Sequence, residues 1–521
     1  MRGMKMRDGL VVDLFAGGGG ASTGLAWALG RDPDIAINHD REALAMHKAN
    51  HPRTVHLQND ITRIMPLEAT GGRKVAILHA SPDCTHFSKA KGGKPRSQHI
   101  RDLAWVVVRW AEDTRPELIT LENVEEFLTW GPLDSAGQPI KARAGETFRE
   151  WAKSLRRLGY QVSWRLLRAC DYGAPTTRRR LFVVARRDKR AVAWPIPTHG
   201  DPALPEVRTK KLFAWHTAAE CIDWTIESQS IFGRKKPLAM NTQRRIAEGL
   251  RRYVLNAPSP FIVTYYGPKQ AGITDFRGSS INAPLATITA GGYRFGLVSP
   301  VIVNSNHTAS YYTPFRGQPI QEPLRTITAA PGFALATCIA KHYGGVVGHE
   351  MEKPLGTVTA IDHHSLVSAC MVKYYGNERG GVSITDPLHT ITSKDRIGLV
   401  TAIFDGRRAV EARDWLRMMQ VIGPEEEGEI QHDGRTYRIV DICMRMLAPR
   451  ELYRAQGFPD SYVIEDMPDG QKLSKSKQVR MCGNSVPPCL VEAIVRANGP
   501  DTWLREAKPY LPLVEMARAS A

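Results

Sequence analysis

The chain has 521 residues, too many for one compact core, so two or more domains are expected. Apolar residues make up 42% and charged residues 24%, the balance of an ordinary globular protein; no run of about 18 apolar residues is present to span a membrane. Lysine and arginine total 70 against 53 acidic residues, and the net charge of +17 points to a polyanionic partner, of which nucleic acid is the commonest.

In chain order, the opening MRGMKMRDGLVVDLF has too short an apolar run for a secretory signal. Leu10 to Phe15 reads as a parallel-sheet strand. Ala16-Gly17-Gly18-Gly19-Gly20-Ala21-Ser22 follows as a tight turn, and Thr23 to Leu29 as a helix. Strand, glycine turn and helix open a nucleotide-binding fold, in which glycines let the backbone bend sharply and approach a ligand. NAD, FAD and S-adenosylmethionine sites all use such a turn, and a purely structural turn is spelled the same way. Ile35 to Ile37 is a second strand, with Asn38, His39 and Asp40 where ribose hydroxyls are commonly met. Asn59-Asp60-Ile61 ends the next unit, and the Asp60 carboxylate could accept from an adenine amino group. Each of these residues alone is also an ordinary cap or turn residue.

Val75 to Leu78 reads as a buried strand that runs into Ser81-Pro82-Asp83-Cys84-Thr85-His86-Phe87-Ser88. A cysteine just past such a strand lies at the sheet rim, where chemistry collects, although a free cysteine is more often a small core residue. The eight cysteines form no C-x-x-C pair, so neither a zinc site nor a dense disulfide framework is expected, which fits a cytosolic protein. Lys89 to Arg96 is basic and glycine-rich, a surface loop that could close over a phosphate backbone or serve only as a linker. Asp102 to Arg115 has helical period. Pro116 to Val124 is a buried strand that brings Glu122 and Asn123 to the same rim as Cys84, where a carboxyl near a thiol can hold or give a proton. Tyr160 to Leu167 alternates like a strand. In Thr176-Thr177-Arg178-Arg179-Arg180, three arginines enter the buried run Leu181 to Ala185, so at least one must point inward toward an anionic or carbonyl partner.

Pro195 to Gly200 marks a composition break. Beyond it one pattern recurs four times within 261–404: APLATIT at 283–289, EPLRTIT at 322–328, KPLGTVT at 353–359 and DPLHTIT at 386–392. The copies read as duplicated β-hairpins whose T-x-T strands build a scaffold. Their loops carry Tyr293, Arg294, Arg316, Arg379 and Lys394, residue types suited to reading DNA. Ala409 to Met419 is helical, and Val486 to Asn498 reads as a helix packing back on the first domain.

The blocks D-L-F-A-G-G-G-G, S-P-D-C-T-H-F-S, E-N-V, T-T-R-R-R, R-M-L-A-P-R-E-L-Y-R-A-Q-G-F-P-D and C-G-N-S-V-P-P, in that order, resemble the DNA cytosine-5 methyltransferases. The resemblance covers about residues 10–187 and 443–495. It implies an α/β chain with two parts. One is a doubly wound, Rossmann-like, S-adenosylmethionine-dependent methyltransferase domain (1–200, completed by 480–521). The other is a β-rich, repeat-containing target-recognition domain (201–479), organised by the late motif at 444–462. By the same resemblance, Cys84 is the nucleophile that adds to carbon 6 of a cytosine flipped from duplex DNA. Glu122 meets ring nitrogen 3 with Asn123 as its support, and Arg178 and Arg180 are the paired arginines, Arg180 holding the carbonyl oxygen. The implied S-adenosylmethionine set is Asp13, Phe15, Ala16, Gly17, Gly19, Asn38, Asp40, Asp60, Ile61, Pro82, Asn484 and Ser485, with no metal. Implied partners are double-stranded DNA and a candidate cognate restriction endonuclease. The protein would act as a monomer on DNA in the cytoplasm, near the nucleoid, with no membrane role.

Three departures suggest a divergent, phage-like branch. Asp83 stands where the family commonly has proline, and its carboxylate is expected to raise the thiol pKa of Cys84. Thr176 replaces a glutamine, and Asn38, His39 and Asp40 stand where a ribose-binding acid is usual. The rival readings are an RNA methyltransferase of the same mechanism, a catalytically silent DNA-binding protein, and a dinucleotide-dependent oxidoreductase. The last leaves the cysteine and arginine motifs unexplained.

Overall fold

The computed structural model describes residues 9–83, 102–135, 138–223, parts of 226–250, a set of strands and one helix between 261 and 438, and 441–500. The chain divides into two compact units. The first comprises 1–174, 178–214 and 456–521, and the second comprises 175–177 and 215–455.

The first unit is built on seven strands: β1 (Leu10–Leu14), β2 (Ile35–Asn38), β3 (Val55–Gln58), β4 (Val75–Ala80), β5 (Leu118–Asn123), β6 (Gln161–Arg168) and β7 (Arg179–Arg186). They lie in the order β3-β2-β1-β4-β5-β7-β6. Neighbours from β3 to β5 pair in parallel, whereas β7 is antiparallel to both β5 and β6. β1 and β4 are buried on both faces, as a covered parallel sheet requires, and are apolar except at Asp13 and His79. β1 ends at Leu14 because Phe15 turns into the left-handed region at φ +61°. Chain order reverses between β1 and β4, the switch point where such sheets open a crevice beyond the strand ends. The turn after β1 and the exit of β4 therefore meet at one mouth.

Helices cover both faces: α1 (Gly20–Leu29), α2 (Arg41–Asn50), α3 (Pro66–Thr70), α4 (Trp105–Thr114), α5 (Glu146–Arg157), α6 (Lys475–Asn484) and α7 (Pro488–Asn498). On one face Val12, Leu14, Ile37 and Leu78 pack with Trp110 and Trp151. On the other, Val11, Ile77 and Val184 pack with Leu25 of α1 and with Leu490 and Ile494 of α7. Residues 456–479, which the sequence reading assigned to the insert, belong to the first unit. Gln456 and Tyr462 hold them there: Gln456 Nε2 donates to the Cys482 carbonyl (3.0 Å), and the Tyr462 hydroxyl donates to the Gly18 carbonyl.

The second unit holds an antiparallel sheet in the order Gly278–Ser280, Phe261–Thr264, Phe295–Val298, Asp441–Met446, Ile397–Ile403, Val367–Lys373, with Gln229–Ser230 also pairing to Asp441–Met446. A helix spans Ala409–Met418. The late motif contributes a buried ion pair here: Arg445 grips Glu451 through two hydrogen bonds of 2.8 and 2.9 Å, and Glu451 also accepts from the Asp223 and Ala448 amides. The four T-x-T segments, with Tyr293, Arg294, Arg316, Arg379 and Lys394, lie outside the described residues.

Candidate active site

Asp13, in the middle of β1, is fully buried, and burial pushes its carboxyl up to about 7 despite a 2.6 Å hydrogen bond from the Ser22 hydroxyl. The Ser22 oxygen also lies 2.8 Å from His47 Nε2, and His47 Nδ1 lies 2.8 Å from His56 Nε2. A chain of side chains thus runs from the root of the glycine turn to half-buried His56. Asp13 is thus buried beneath the turn, bonded to its Ser22.

The glycines of the turn are not equivalent. A Cβ placed on Gly18 would meet Met46 Sδ at 2.9 Å, one on Gly19 would meet Tyr462 and His51, and one on Gly20 would strike the Val486 carbonyl. At Gly17 (φ +48°) nothing lies nearer than the Phe15 carbonyl at 3.9 Å, so this glycine faces open space. The Ala16 amide is tied to the Ile37 carbonyl (3.0 Å) and the Gly19 amide to the Ala16 carbonyl (3.1 Å), which holds Gly17 at the crest. Phe15, before the crest, is partly buried, and Ile61 is buried.

The polar residues at the ends of the next strands have local duties. Asn38 Oδ1 accepts from the Asp40 amide, and Asp40 caps α2 by accepting from the amides of Glu42 and Ala43. Asp40 also pairs with Arg480 of α6 at 2.9 Å. Asp60 Oδ1 accepts from the amide and hydroxyl of Thr62. Ser485 is buried and its hydroxyl donates to the Cys482 carbonyl (2.6 Å), whereas Asn484 is exposed. A Cβ on Gly20 would also meet Ser485 Cβ at 3.2 Å, so the segment after α6 backs directly onto the start of α1.

At the ends of β5 and β7 the charged residues come together. Glu122 is buried and forms an ion pair with Arg180 Nε at 3.2 Å. Burial raises the Glu122 carboxyl above the ordinary range, and the positive charges of Arg180 and Arg178 oppose that rise. Arg178 is also buried and donates to the Gly483 carbonyl (3.0 Å), and Arg179 between them is exposed and pairs with Glu125. The expectation that an arginine of this run points inward is met twice. Asn123 Nδ2 donates to the Pro82 carbonyl (3.2 Å), joining the end of β5 to the exit of β4. Asp83, next in the chain, is exposed. Cys84 itself lies outside the described residues.

The described cysteines of the first unit are poor nucleophiles. Burial pushes the thiols of Cys170 and Cys482 far up, and that of Cys489 up to about 12. Sequence reading missed His79, Ser22, His47 and Tyr462. His79 is a polar residue inside the apolar spelling of β4, and that mismatch was the one signal available for it.

The family model for C-5 cytosine-specific DNA methylase matches residues 10–243 and 379–499. The Type II methyltransferase M1.HphI of Haemophilus parahaemolyticus is 29% identical over 197 residues, covering 36% of this chain and 48% of that protein. The Type II methyltransferase M.NaeI of Lentzea aerocolonigenes is 30% identical over 229 residues, covering 42% and 50%. The chain thus spans about half the length of these curated relatives. Among solved structures, a DNMT2 mutant from Spodoptera frugiperda is similar at 14% identity and a TM-score of 0.44, covering 95% of this chain and 100% of that one. With the family model spanning both the nucleotide-binding opening and the final motif, the chain belongs to the C-5 cytosine-specific DNA methylase family.

Proposed function

We propose that the protein is a cytoplasmic, S-adenosylmethionine-dependent methyltransferase that modifies carbon 5 of a cytosine flipped out of duplex DNA. The observation that carries this reading is the buried cluster of Glu122, Arg180 and Arg178, beside a strand exit that Asn123 ties down and that leads directly to Cys84. In this reading the second unit supplies target recognition. The relatives' description as Type II methyltransferases makes a cognate endonuclease the partner to seek.

Cytosine carbon 5 is a weak nucleophile until the ring is activated. The Cys84 thiolate adds to carbon 6 while Glu122, its carboxyl raised by burial, meets nitrogen 3 and Arg180 donates to the carbonyl oxygen. These two hydrogen bonds strengthen as electron density moves onto the ring, so they favour the transition state over bound substrate. Arg178, held by the Gly483 carbonyl, adds positive charge that steadies the site. S-adenosylmethionine, when bound along Phe15, Ala16, Gly17 and Gly19 with Asp60 and Ile61 nearby, supplies the methyl group as a sulfonium electrophile. Once carbon 5 carries the methyl group, loss of its proton re-forms the ring double bond and expels the Cys84 thiolate. The raised thiols of Cys170, Cys482 and Cys489 support Cys84 as the nucleophile.

Purified protein is expected to transfer labelled methyl from S-adenosylmethionine to cytosine-containing duplex DNA, and Cys84→Ser to abolish the transfer. Labelling of RNA alone, or equal labelling by the variant, would overturn the proposal. Bisulfite sequencing of DNA from expressing cells then reads the modified base and its context together.

A further inference from the structure

His79 is the fifth of the six residues of β4, all of them buried. Burying an imidazole among Ile77, Leu78 and their neighbours is costly unless both ring nitrogens find partners. Both do. Nδ1 lies 2.8 Å from Thr120 Oγ1, and Nε2 lies 2.9 Å from Ser81 Oγ. Burial holds the ring neutral, its pKa lowered to about 3, so one nitrogen donates and the other accepts. Serine and threonine hydroxyls can rotate to fill either role.

The two partners sit at informative places. Thr120 is directly opposite His79 in the β4–β5 register and two residues before Glu122. Ser81 is the first residue beyond β4 and three residues before Cys84. Two more bonds fix the same exit: the Ser81 amide donates to the Leu14 carbonyl (3.3 Å), and Asn123 Nδ2 donates to the Pro82 carbonyl. An apolar side chain would fill the position of His79 without the desolvation cost. What the imidazole adds is direction: it bolts the chain leaving β4 to the strand that carries Glu122.

We propose that His79 is a positioning residue for methyl transfer, its bridge between Thr120 and Ser81 setting how the Cys84 segment leaves β4 relative to Glu122. The inference rests on Cys84 being the nucleophile and Glu122 the ring-holding acid. Misplacing reacting groups by about an ångström can cost ~100-fold in rate without weakening binding. The loss should therefore fall on kcat and on the rate of covalent addition, and not on KM.

The test uses the full-length protein, tritiated S-adenosylmethionine and mixed-sequence duplex DNA. A second duplex carries 5-fluorocytosine in place of cytosine, so that the carbon-6 adduct cannot collapse. His79→Leu is expected to lower kcat and the adduct rate together by about 10- to 100-fold, with both KM values within about twofold of wild type. His79→Gln, whose amide offers one donor and one acceptor, is expected to recover most of the loss. Thr120→Val, which keeps shape and removes one bond, should lower kcat by about 3- to 10-fold and decides the matter if His79→Leu does not fold. Unchanged kcat in His79→Leu, or in Thr120→Val, would overturn the proposal. So would a loss that appears in KM alone, or a glutamine variant as slow as the leucine one. Cys84→Ser is run alongside: if it still turns over, the reading of the nucleophile fails first, whatever the His79 variants do.

Discussion

Asp13 shows at the scale of one residue how burial acts on a charge beneath the glycine turn. Its buried carboxyl accepts from Ser22, its Oδ1 has no hydrogen-bond partner among the described residues, and its pKa is raised to about 7. A raised carboxyl pKa means that the folded state keeps a proton that the unfolded chain has already released. Stability is therefore unaffected below about pH 4 and falls as pH climbs through about 7, by on the order of 4 kcal/mol. Asp13→Asn is expected to remove that slope. Urea unfolding at pH 5 and pH 8 should show the variant gaining on wild type at the higher pH, and an equal difference at both would contradict the assignment. The sequence could not disclose this chain, because His47 reaches Asp13 only by way of Ser22, and His56 only by way of His47. Glu122, Arg178 and Arg180 were legible, since charges at the ends of apolar strands have few places to go.

At the scale of elements, the start of α1 is where the fold tolerates least. Gly20 and Gly24 share one side of the helix and sit against the backbone at the start of α7; a Cβ on Gly24 would strike the Pro488 carbonyl and lie 2.8 Å from Val491 Cβ. Neither neighbour is the flexible tip of a side chain, so Gly24→Ala should cost about 1–3 kcal/mol and lower Tm by several degrees. A melting curve unchanged by the substitution would show that α7 can shift away. The glycine-rich spelling suggested a ligand cradle, and Gly17 alone among those four consecutive glycines faces open space. Spacing cannot say which side a missing Cβ faces when Met46, Tyr462 and Val486, which decide it, are up to several hundred residues away. The buried strands β4 and β5 were readable to within a few residues, because continuous burial leaves an apolar run, whereas half-exposed β3 left none. The late motif was not: its Arg445 and Glu451 belong to one unit, whereas Gln456 and Tyr462 belong to the other.

For the whole molecule, the charge of +17 makes a prediction independent of the catalytic site. Association with duplex DNA should weaken steeply as salt rises, with log affinity falling linearly against log salt at a slope of roughly −0.9 for each phosphate neutralised. A slope near zero would mean that the basic surplus serves something other than the DNA backbone.

The first unit is assembled from pieces on either side of a long insert, and α7 covers one face of its sheet. During synthesis that face is made early and its cover late. About 300 residues separate β7 from α7, and a ribosome adding ~5–20 residues each second needs on the order of tens of seconds to cross that gap. Through that interval Val11, Ile77 and Val184 lack their partners Leu490 and Ile494. The nascent chain would then offer chaperones an apolar surface until α7 is made.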